Sequence, residues 1–260
     1  MPTLVPVARV QLWSCGGGRQ SAGIAALILQ GRLPKPDAAV MVDTGREKRS
    51  TWDYLNAYLR PAIERFGVPF TLIRTADYAT VDLWSGEDGE SLLIPAYSDQ
   101  GVAGSKLPEW CSGEWKREVV ARWARTTPGW FATGVDMWLG ISRDERNRRR
   151  KPRRAWLKPT YPLLDTINMH VSGCLEAVRV QGWPEPPRSC CWMCPNQGNP
   201  EWRDLRDGHP DQWSQAVELD ETIRLTDPHA WVHSSRVPLR IADIDAPDSR
   251  RGGCTEGMCS

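Results

Sequence analysis

The chain carries a glycine triplet within the stretch Trp13-Ser14-Cys15-Gly16-Gly17-Gly18-Arg19-Gln20-Ser21. An apolar run at residues 7–13 precedes it and a helix-forming run at residues 22–30 follows, which predicts a strand, a tight loop and a helix. Glycines leave room for an anion, and the next helix directs its free N–H groups and positive dipole end to the same place. The stretch therefore predicts a phosphate-binding loop, although such a turn also serves packing alone. It lacks the Walker ending and the dinucleotide-binding spacing, which favours another class of nucleotide-binding protein.

Length and composition narrow the class of protein. A chain of 260 residues suffices for one α/β domain with an appendage, and a formal charge of +1 indicates no particular partner. No apolar stretch approaches the roughly 20 residues that span a bilayer, and there is no signal-peptide pattern, so we expect a cytoplasmic protein without a membrane partner. In that reducing compartment, the eight cysteines are expected to be metal ligands or reactive thiols.

Strand and helix patterns alternate after the glycine loop. Short apolar runs predict strands at residues 38–42, 70–74 and 137–141, and helical spacing predicts helices at 51–66, 114–124, 166–181, 200–207 and 211–225. Residues 85–106 are predicted to form a surface loop. The pattern is typical of an α/β fold with a doubly wound parallel sheet. We expect a nucleotide-binding domain over residues 1–165 and a helical, cysteine-rich extension packed on it over residues 166–260.

Six of the cysteines are grouped in a way that suggests metal binding. Cys111 precedes a predicted helix, and the others form a C-C-x-x-C group at Cys190, Cys191 and Cys194 and a pair at Cys254 and Cys259. Four thiolates suit either zinc or a [4Fe–4S] cluster, and their spacing does not distinguish the two. Pro195 directly after the group is typical of some ferredoxin-type loops and favours iron and sulfur. The alternatives are a structural zinc site or buried free thiols.

A basic segment follows the predicted strand at residues 137–141. Its cationic residues are Arg143, Arg146, Arg148, Arg149, Arg150, Lys151, Arg153 and Arg154. Guanidinium groups bind phosphate and sulfate in bidentate fashion, and a run of this length could follow a nucleic-acid backbone. The alternative is a solvated loop.

Several motifs stand in an order shared with a known superfamily. They are Gly16-Gly17-Gly18-Arg19-Gln20-Ser21, Val42-Asp43-Thr44-Gly45, Cys111 with Trp115-Lys116, Leu139-Gly140-Ile141-Ser142-Arg143-Asp144-Glu145, Tyr161-Pro162-Leu163 and Cys191-x-x-Cys194. In content and order they resemble the PP-loop, adenine nucleotide alpha-hydrolase-like superfamily, and within it the phosphoadenylyl-sulfate (PAPS) reductase-like family. The resemblance covers nearly the whole chain and implies a Rossmann-like fold of the HUP class, an adenine nucleotide and an iron–sulfur cluster.

Three positions depart from the family pattern. Gly16 stands where ATP-cleaving members carry serine, and Gln20 stands where they carry aspartate, although it resembles the glutamine of some reductases. Cys111 is single where cluster-bearing adenylyl-sulfate reductases have a pair. Either Cys190 replaces the missing ligand, or three cysteines leave one iron open, as in sulfur-inserting relatives.

The resemblance also implies site residues. Those for ATP, or another adenine nucleotide, with Mg²⁺ are Gly16, Gly17, Gly18, Gln20, Ser21, Asp43, Thr44, Gly45, Gly140 and Arg143. Those for the [4Fe–4S] cluster are Cys111, Cys190, Cys191 and Cys194. The candidate catalytic residues are Asp43, beside the nucleotide, and the tail cysteines Cys254 and Cys259, which loosely resemble the reductases' terminal nucleophile.

Three functions are consistent with these features. The leading one is an ATP pyrophosphatase-type enzyme that activates a substrate by adenylation and incorporates sulfur into nucleic acid, as in DNA phosphorothioation or tRNA thiolation. It would use a cysteine desulfurase or another sulfur donor and could be a homodimer. The second is an adenylyl-sulfate or PAPS reductase that releases sulfite, with thioredoxin as its reductant. The third is a zinc-stabilised nucleic-acid-binding module with an inactive loop. The basic segment favours the first and third, because a small sulfonucleotide needs few arginines.

Overall fold

A five-stranded parallel sheet forms the centre of the molecule in the computed structural model, which describes residues 8–86, 89, 91–100 and 105–247. Its strands are β1 (Val10–Ser14), β2 (Ala38–Asp43), β3 (Phe70–Arg74), β7 (Val135–Leu139) and β8 (Leu157–Thr160), in the spatial order β3-β2-β1-β7-β8. Four two-residue strands pair outside this sheet: β4 (Trp84–Ser85) with β5 (Ser91–Leu92), and β6 (Tyr97–Ser98) with β9 (Ala230–Trp231). The predicted α/β class with a doubly wound parallel sheet is confirmed.

Nine α-helices lie in the described part of the chain. They are α1 (Arg19–Leu29), α2 (Arg49–Tyr54), α3 (Arg60–Phe66), α4 (Thr75–Tyr78), α5 (Glu118–Thr126), α6 (Trp130–Thr133), α7 (Val171–Val180), α8 (Asn199–Gly208) and α9 (Pro210–Thr226). Segments of π-helix occur at Leu55–Leu59, Ser112–Arg117 and Pro162–Thr166, and 3₁₀ turns at Arg143–Arg148 and Leu239–Ile241. No helix in these ranges is both long and apolar enough to cross a membrane.

Helices cover both faces of the sheet, which explains the continuous apolar sequence of β2. One face packs against α1, α3 and α7, and the other packs against α5. Helices α1 and α7 approach closely, because a Cβ at Gly23 would lie 2.6 Å from Cys174 Cβ. A separate core joins residues 83–96 to residues 193–244. The predicted division at residue 165 stays a prediction, and α7, beyond it, packs on α1.

Three local predictions were wrong. The predicted surface loop at residues 85–106 contains a buried core segment, because Leu92, Leu93 and Ile94 are each at most 6% exposed. The helix predicted over residues 166–181 begins at Val171, after a π-helical turn and a left-handed residue, Asn168 (φ 51°). Strand β8 was not predicted, and it is an edge strand, the position that tolerates a proline in a sheet.

Candidate nucleotide and cysteine site

The glycine loop follows the central strand β1. Strands β2 and β3 extend the sheet on one side of β1, and β7 and β8 extend it on the other. The crevice between the carboxyl ends of β1 and β7 is therefore the switch point at which doubly wound sheets bind ligands. The loop lies at this crevice, as its sequence position predicts.

At Gly17 the loop passes too close to helix α2 to carry a side chain. Gly17 has a left-handed backbone (φ 73°), and a Cβ there would lie 2.7 Å from Thr51 Cγ2. The Gly16 amide donates to Ser21 Oγ at 2.9 Å, which ties the loop to the first turn of α1. Gly16 is exposed, whereas Gly17 and Gly18 are buried. An anion can therefore reach the loop at Gly16.

Helix α1 begins at Arg19 without a side-chain cap and without an acidic residue in its first turn. Its first N–H groups have no partner within the helix and carry the positive end of the dipole. Gln20 Nε2 donates to Glu145 Oε2 at 3.1 Å, and a Cβ at Gly140 would lie 3.1 Å from Gln20 Cβ. The structure thus brings the glycine loop and Gly140 together in an arrangement suited to a phosphate.

The end of β2 lies between the glycine loop and the cysteines. Asp43 Oδ1 accepts a hydrogen bond from the Gly45 amide at 2.7 Å, and the buried Thr44 places its Oγ1 3.9 Å from Cys191 Sγ. A cleft of about 350 Å³ opens beside Thr44; its lining residues are Thr44, Arg46, Thr75, Ala76, Ala79, Thr80, Val81 and Asp82. Arg143, the remaining predicted nucleotide contact, is exposed, and its amide donates to the Met169 carbonyl at 2.8 Å.

Residues 183–192, which we call the covering segment, lie over the glycine loop. Ser189 is so close to the loop that a Cβ at Gly18 would lie 2.8 Å from its Cβ and its backbone nitrogen. Glu185 forms an ion pair with Arg19 at 2.9 Å, and the Pro184 carbonyl accepts a hydrogen bond from Tyr54 Oη at 3.0 Å. This segment runs from the end of α7 to the cysteines and buries the second half of the loop.

The covering segment also pairs with the chain that follows β2. The Lys48 amide donates to the Cys190 carbonyl at 3.3 Å, and the Trp192 amide donates to the Arg46 carbonyl at 2.9 Å. An isolated antiparallel bridge lies between them, at Glu47 and Cys191. The cysteine group is therefore joined through the backbone to the loop that ends β2.

All four predicted cluster cysteines are free thiols. Burial, followed by the charge of Glu109, raises the pKa of Cys111 to about 11. Burial and the charge of Glu47 raise the pKa of Cys191 to about 12, and the nearby thiols of Cys190 and Cys111 add to this effect. Burial likewise raises the pKa of Cys194 well above its usual value. Burial therefore disfavours the thiolate form of these cysteines.

A buried ion pair lies next to the thiols. Lys116 Nζ contacts Glu47 Oε1 at 2.6 Å, and the Glu47 side chain is fully buried. Burial alone would lower the pKa of Lys116, but the charges of Glu47, Cys191 and Cys111 together raise it. Glu47 Oε2 is buried and has no hydrogen-bond partner among the described residues. Lys116 therefore supplies a positive charge that favours thiolate over thiol.

The donor types fit a thiolate-ligated metal centre, since four free thiols are present and Lys116 lies close enough to affect Cys111 and Cys191 electrostatically. Within the described ranges, no group of three or more His, Cys, Asp or Glu side chains is arranged to hold a metal ion. The candidate catalytic residues Cys254 and Cys259 lie outside the described residues.

Two residues of the site were not predicted. Glu47 belongs to the charged run Arg46-Glu47-Lys48, which is typical of an exposed loop, yet Glu47 is only 3% exposed. Ser189 is a small polar residue in a proline-rich stretch. Neither carries a local signal, because each owes its place to a contact with residues more than 140 positions away in the chain.

Part of the basic segment is already paired with acidic residues. Arg148 contacts Glu145 at 2.7 Å, Arg149 contacts Asp165 at 2.7 Å, and Arg154 binds Glu118 through both guanidinium nitrogens at 2.5 and 3.2 Å. The remaining cations make no ion pair with a described residue; they are Arg143, Arg146, Arg150, Lys151 and Arg153. The segment follows β7, one of the two strands that flank the switch point.

Comparison with known proteins gives structural likenesses and no match to the sequence itself. No protein-family model and no curated protein matches the sequence. Among solved structures, the chain is similar to the U34-tRNA thiolase NcsA from Methanococcus maripaludis with its [4Fe–4S] cluster. The match covers 85% of this chain and 74% of that chain, with a TM-score of 0.41 and 15% sequence identity. The site assignments for this chain rest on its own contacts.

Proposed function

We propose that this protein is a cytoplasmic PP-loop enzyme that activates a nucleic-acid substrate with ATP and incorporates sulfur into it. The observation that carries the proposal is the junction between the glycine loop and the cysteine group. Ser189 of the covering segment contacts Gly18, and the residues directly after it, 190–192, pair with residues 46–48. A nucleotide at the loop and a sulfur centre at the cysteines would therefore share one edge of the sheet.

Each part of the proposed reaction has residues to carry it. The glycine loop and the N–H groups at the start of α1 would hold the phosphates of ATP, and Asp43 would lie beside them with Mg²⁺. The substrate oxygen attacks the α-phosphorus and pyrophosphate leaves. A sulfur nucleophile then displaces AMP, so that sulfur takes the place of oxygen in the product.

Cys111, Cys191 and Cys194 would hold an iron–sulfur cluster, with Cys190 as a fourth ligand or as a free thiol beside it. Such a cluster supplies an iron that can bind sulfur when three cysteines leave one position open. Lys116 offsets the negative charge of the thiolates, and Glu47 holds the lysine in place. The basic segment would bind the nucleic-acid backbone.

The experiment that tests the proposal identifies the product. Anaerobically purified protein is incubated either with ATP, a sulfur donor and nucleic acid, or with adenylyl sulfate and thioredoxin. We expect pyrophosphate and AMP from ATP, formed together with thiolated nucleic acid. Sulfite from adenylyl sulfate would instead identify a reductase, and absence of both products with stoichiometric zinc would identify a binding module.

A further inference from the structure

Arg117 lies at the end of the helical turn that follows Cys111, and it faces the basic segment. Glu118, the next residue, binds Arg154 through both carboxylate oxygens. This bidentate pair brings the neighbouring residues Arg117 and Arg153 together across the two segments. Burial lowers the pKa of Arg117, and the charges of Arg153 and Arg150 lower it further, although Glu118 opposes them. The charges of Arg150 and Arg153 therefore act on Arg117 beside a carboxylate, that of Glu118, which is already bound to Arg154.

The Arg117 side chain is only partly satisfied. Its Nε is buried without a hydrogen-bond partner among the described residues, and it lies 3.6 Å from Glu118 Oε1, too far for a good hydrogen bond. The side chain packs against the turn after Cys111, because a Cβ at Gly113 would lie 3.1 Å from Arg117 Nη2. The Arg117 side chain is thus held in place, while its Nε–H group makes no hydrogen bond to a described residue.

Hydrogen bonds hold the backbone of Arg150, whereas its guanidinium makes no ion pair with a described residue. Its amide donates to Tyr161 Oη at 2.9 Å, and Tyr161 Oη donates back to its carbonyl at 3.2 Å. The neighbouring Arg149 pairs with Asp165 and stacks on the Tyr161 ring, 5.4 Å from its centroid. Arg149 and Arg154 are therefore structural members of the segment, and the guanidinium groups of Arg150 and Arg153 remain available.

We propose that Arg117, Arg150 and Arg153 form a site for a phosphate group, and that its ligand is a backbone phosphate of the nucleic-acid substrate. Several like charges that share one carboxylate, that of Glu118, repel one another, and an oxyanion with several acceptors would relieve this repulsion and accept from the unused donor. None of the three arginines belongs to the glycine loop or to the start of α1, so the site is distinct from the proposed site for the phosphates of ATP. The choice of nucleic acid as the source of the phosphate rests on the proposed function, whereas the site itself does not.

The distance between this site and the cysteines fits a polymeric substrate. Six residues separate Cys111 from Arg117, which limits their separation along the helix axis to about 9 Å. In a B-form strand, with about 3.4 Å of axis per phosphate, this corresponds to two or three nucleotides. A phosphate near the reacting nucleotide would thus be bound while its base lies beside the cysteines.

The test compares single substitutions that remove the same charge from one segment. The variants are Arg150→Gln and Arg153→Gln, and the control is Arg148→Gln, whose guanidinium is already paired with Glu145. The probe is a single-stranded oligonucleotide of about twelve nucleotides, within the range of known single-strand site sizes. Affinity is measured over a range of salt concentrations. We expect each variant to lose about tenfold in affinity, and the log–log salt slope to fall by about 0.7, while the control changes less than twofold.

A second measurement distinguishes the source of the phosphate. Adenosine 3',5'-bisphosphate and AMP are titrated into the same variants. If the wild type binds no oligonucleotide, but Arg150→Gln and Arg153→Gln weaken the bisphosphate and not AMP, the site is retained and the nucleic-acid function is wrong. If both variants bind every probe with the same affinity as Arg148→Gln, the proposed phosphate site is wrong, whether or not the proposed function is right.

Thermal melting tests whether a loss of binding in a variant is caused by unfolding. Because Arg117→Gln removes a repelled charge, we expect the melting temperature without ligand to stay equal or to rise. Inorganic phosphate should raise the melting temperature of the wild type and not that of Arg117→Gln. A lower melting temperature in this variant, with an unchanged response to phosphate, contradicts the proposal.

Discussion

Gly18 and Ser189 are in contact across the start of helix α1: a Cβ at position 18 would lie 2.8 Å from both Ser189 Cβ and Ser189 N. The residues are 171 positions apart in the sequence. Their contact joins the glycine loop to the segment that carries the cysteines. Glycine is required at position 18 for this approach and not for its backbone angle, since its φ is −103°.

Replacement of Gly18 by alanine should therefore displace the covering segment. We expect Gly18→Ala to lower the free energy of unfolding by about 1–3 kcal/mol, as overpacking does elsewhere. Gly16→Ala is the matched control, because the nearest atom to a Cβ there, Ser21 Oγ, lies 3.9 Å away. Urea denaturation measures both. Equal losses in the two variants would show that the contact with Ser189 has no energetic weight.

Gly17 is constrained by both its backbone and its neighbour. We expect Gly17→Ala to abolish ATP binding and to destabilise the fold by about 1–2 kcal/mol for the left-handed backbone, with more for the overlap with Thr51 Cγ2. Adding Thr51→Ser removes that methyl group, so the double variant should regain part of the stability. Calorimetry with ATP and urea denaturation provide the two readouts. A double variant no more stable than Gly17→Ala would contradict the steric account.

Iron content tests the cysteine assignment. We expect anaerobically purified protein to be brown, and Cys111→Ser, Cys191→Ser and Cys194→Ser each to lose iron and acid-labile sulfide. Cys174→Ala is the control, because Cys174 is buried between α1 and α7, away from the group. Cys190→Ser decides the number of ligands: iron is retained if three cysteines suffice. Stoichiometric zinc without iron in the wild type would refute the cluster.

Asp144 links the loop after β7 to the start of α7. Burial opposes its ionisation, but hydrogen bonds with His170 (2.5 Å) and the Val171 amide (2.6 Å) prevail and lower its pKa. The carboxylate therefore stabilises the fold above its unfolded pKa of about 3.9, and this contribution is lost as the pH falls through the lower folded value. We expect Asp144→Asn to cost about 1–2 kcal/mol at pH 7, as other lost helix caps do.

Urea denaturation at several pH values checks the sign of this effect. The difference in unfolding free energy between the wild type and Asp144→Asn is followed from pH 5 downwards. It should shrink below about pH 4, where the carboxyl of the unfolded chain becomes protonated. A difference that grows as the pH falls would contradict the assignment.

The sequence predicts the elements whose signal is local. Strand β3 has the predicted bounds, and β1, β2 and β7 differ from theirs by a few residues, because short stretches rich in apolar residues are enough to mark the strands of this sheet. Strand β8 escapes prediction, since Lys158 and Pro159 interrupt its apolar pattern and an edge position tolerates them. Periodicity also cannot show the π-helical turns at Leu55–Leu59 and Ser112–Arg117, where one extra residue shifts the face of the helix.

The site was predictable in its parts and not in its assembly. The glycine loop and the Asp43-Thr44-Gly45 turn follow from their places after strands, and the switch point brings them to one edge. The pairing of residues 46–48 with residues 190–192 depends on contacts about 140 positions apart, for which no local pattern exists. Burial of Glu47 follows from this pairing, so its charged neighbours in the sequence are misleading.

The covering segment also sets the order in which the site can form during synthesis. Strand β1 finds β2 soon after both leave the ribosome, but its other neighbour, β7, is made about 120 residues later. Ser189 arrives some 50 residues after that. At about 5–20 residues per second, Ser189 is synthesised roughly 10–30 seconds after the glycine loop. The glycine loop and its covering segment thus come together late in the synthesis of the described residues.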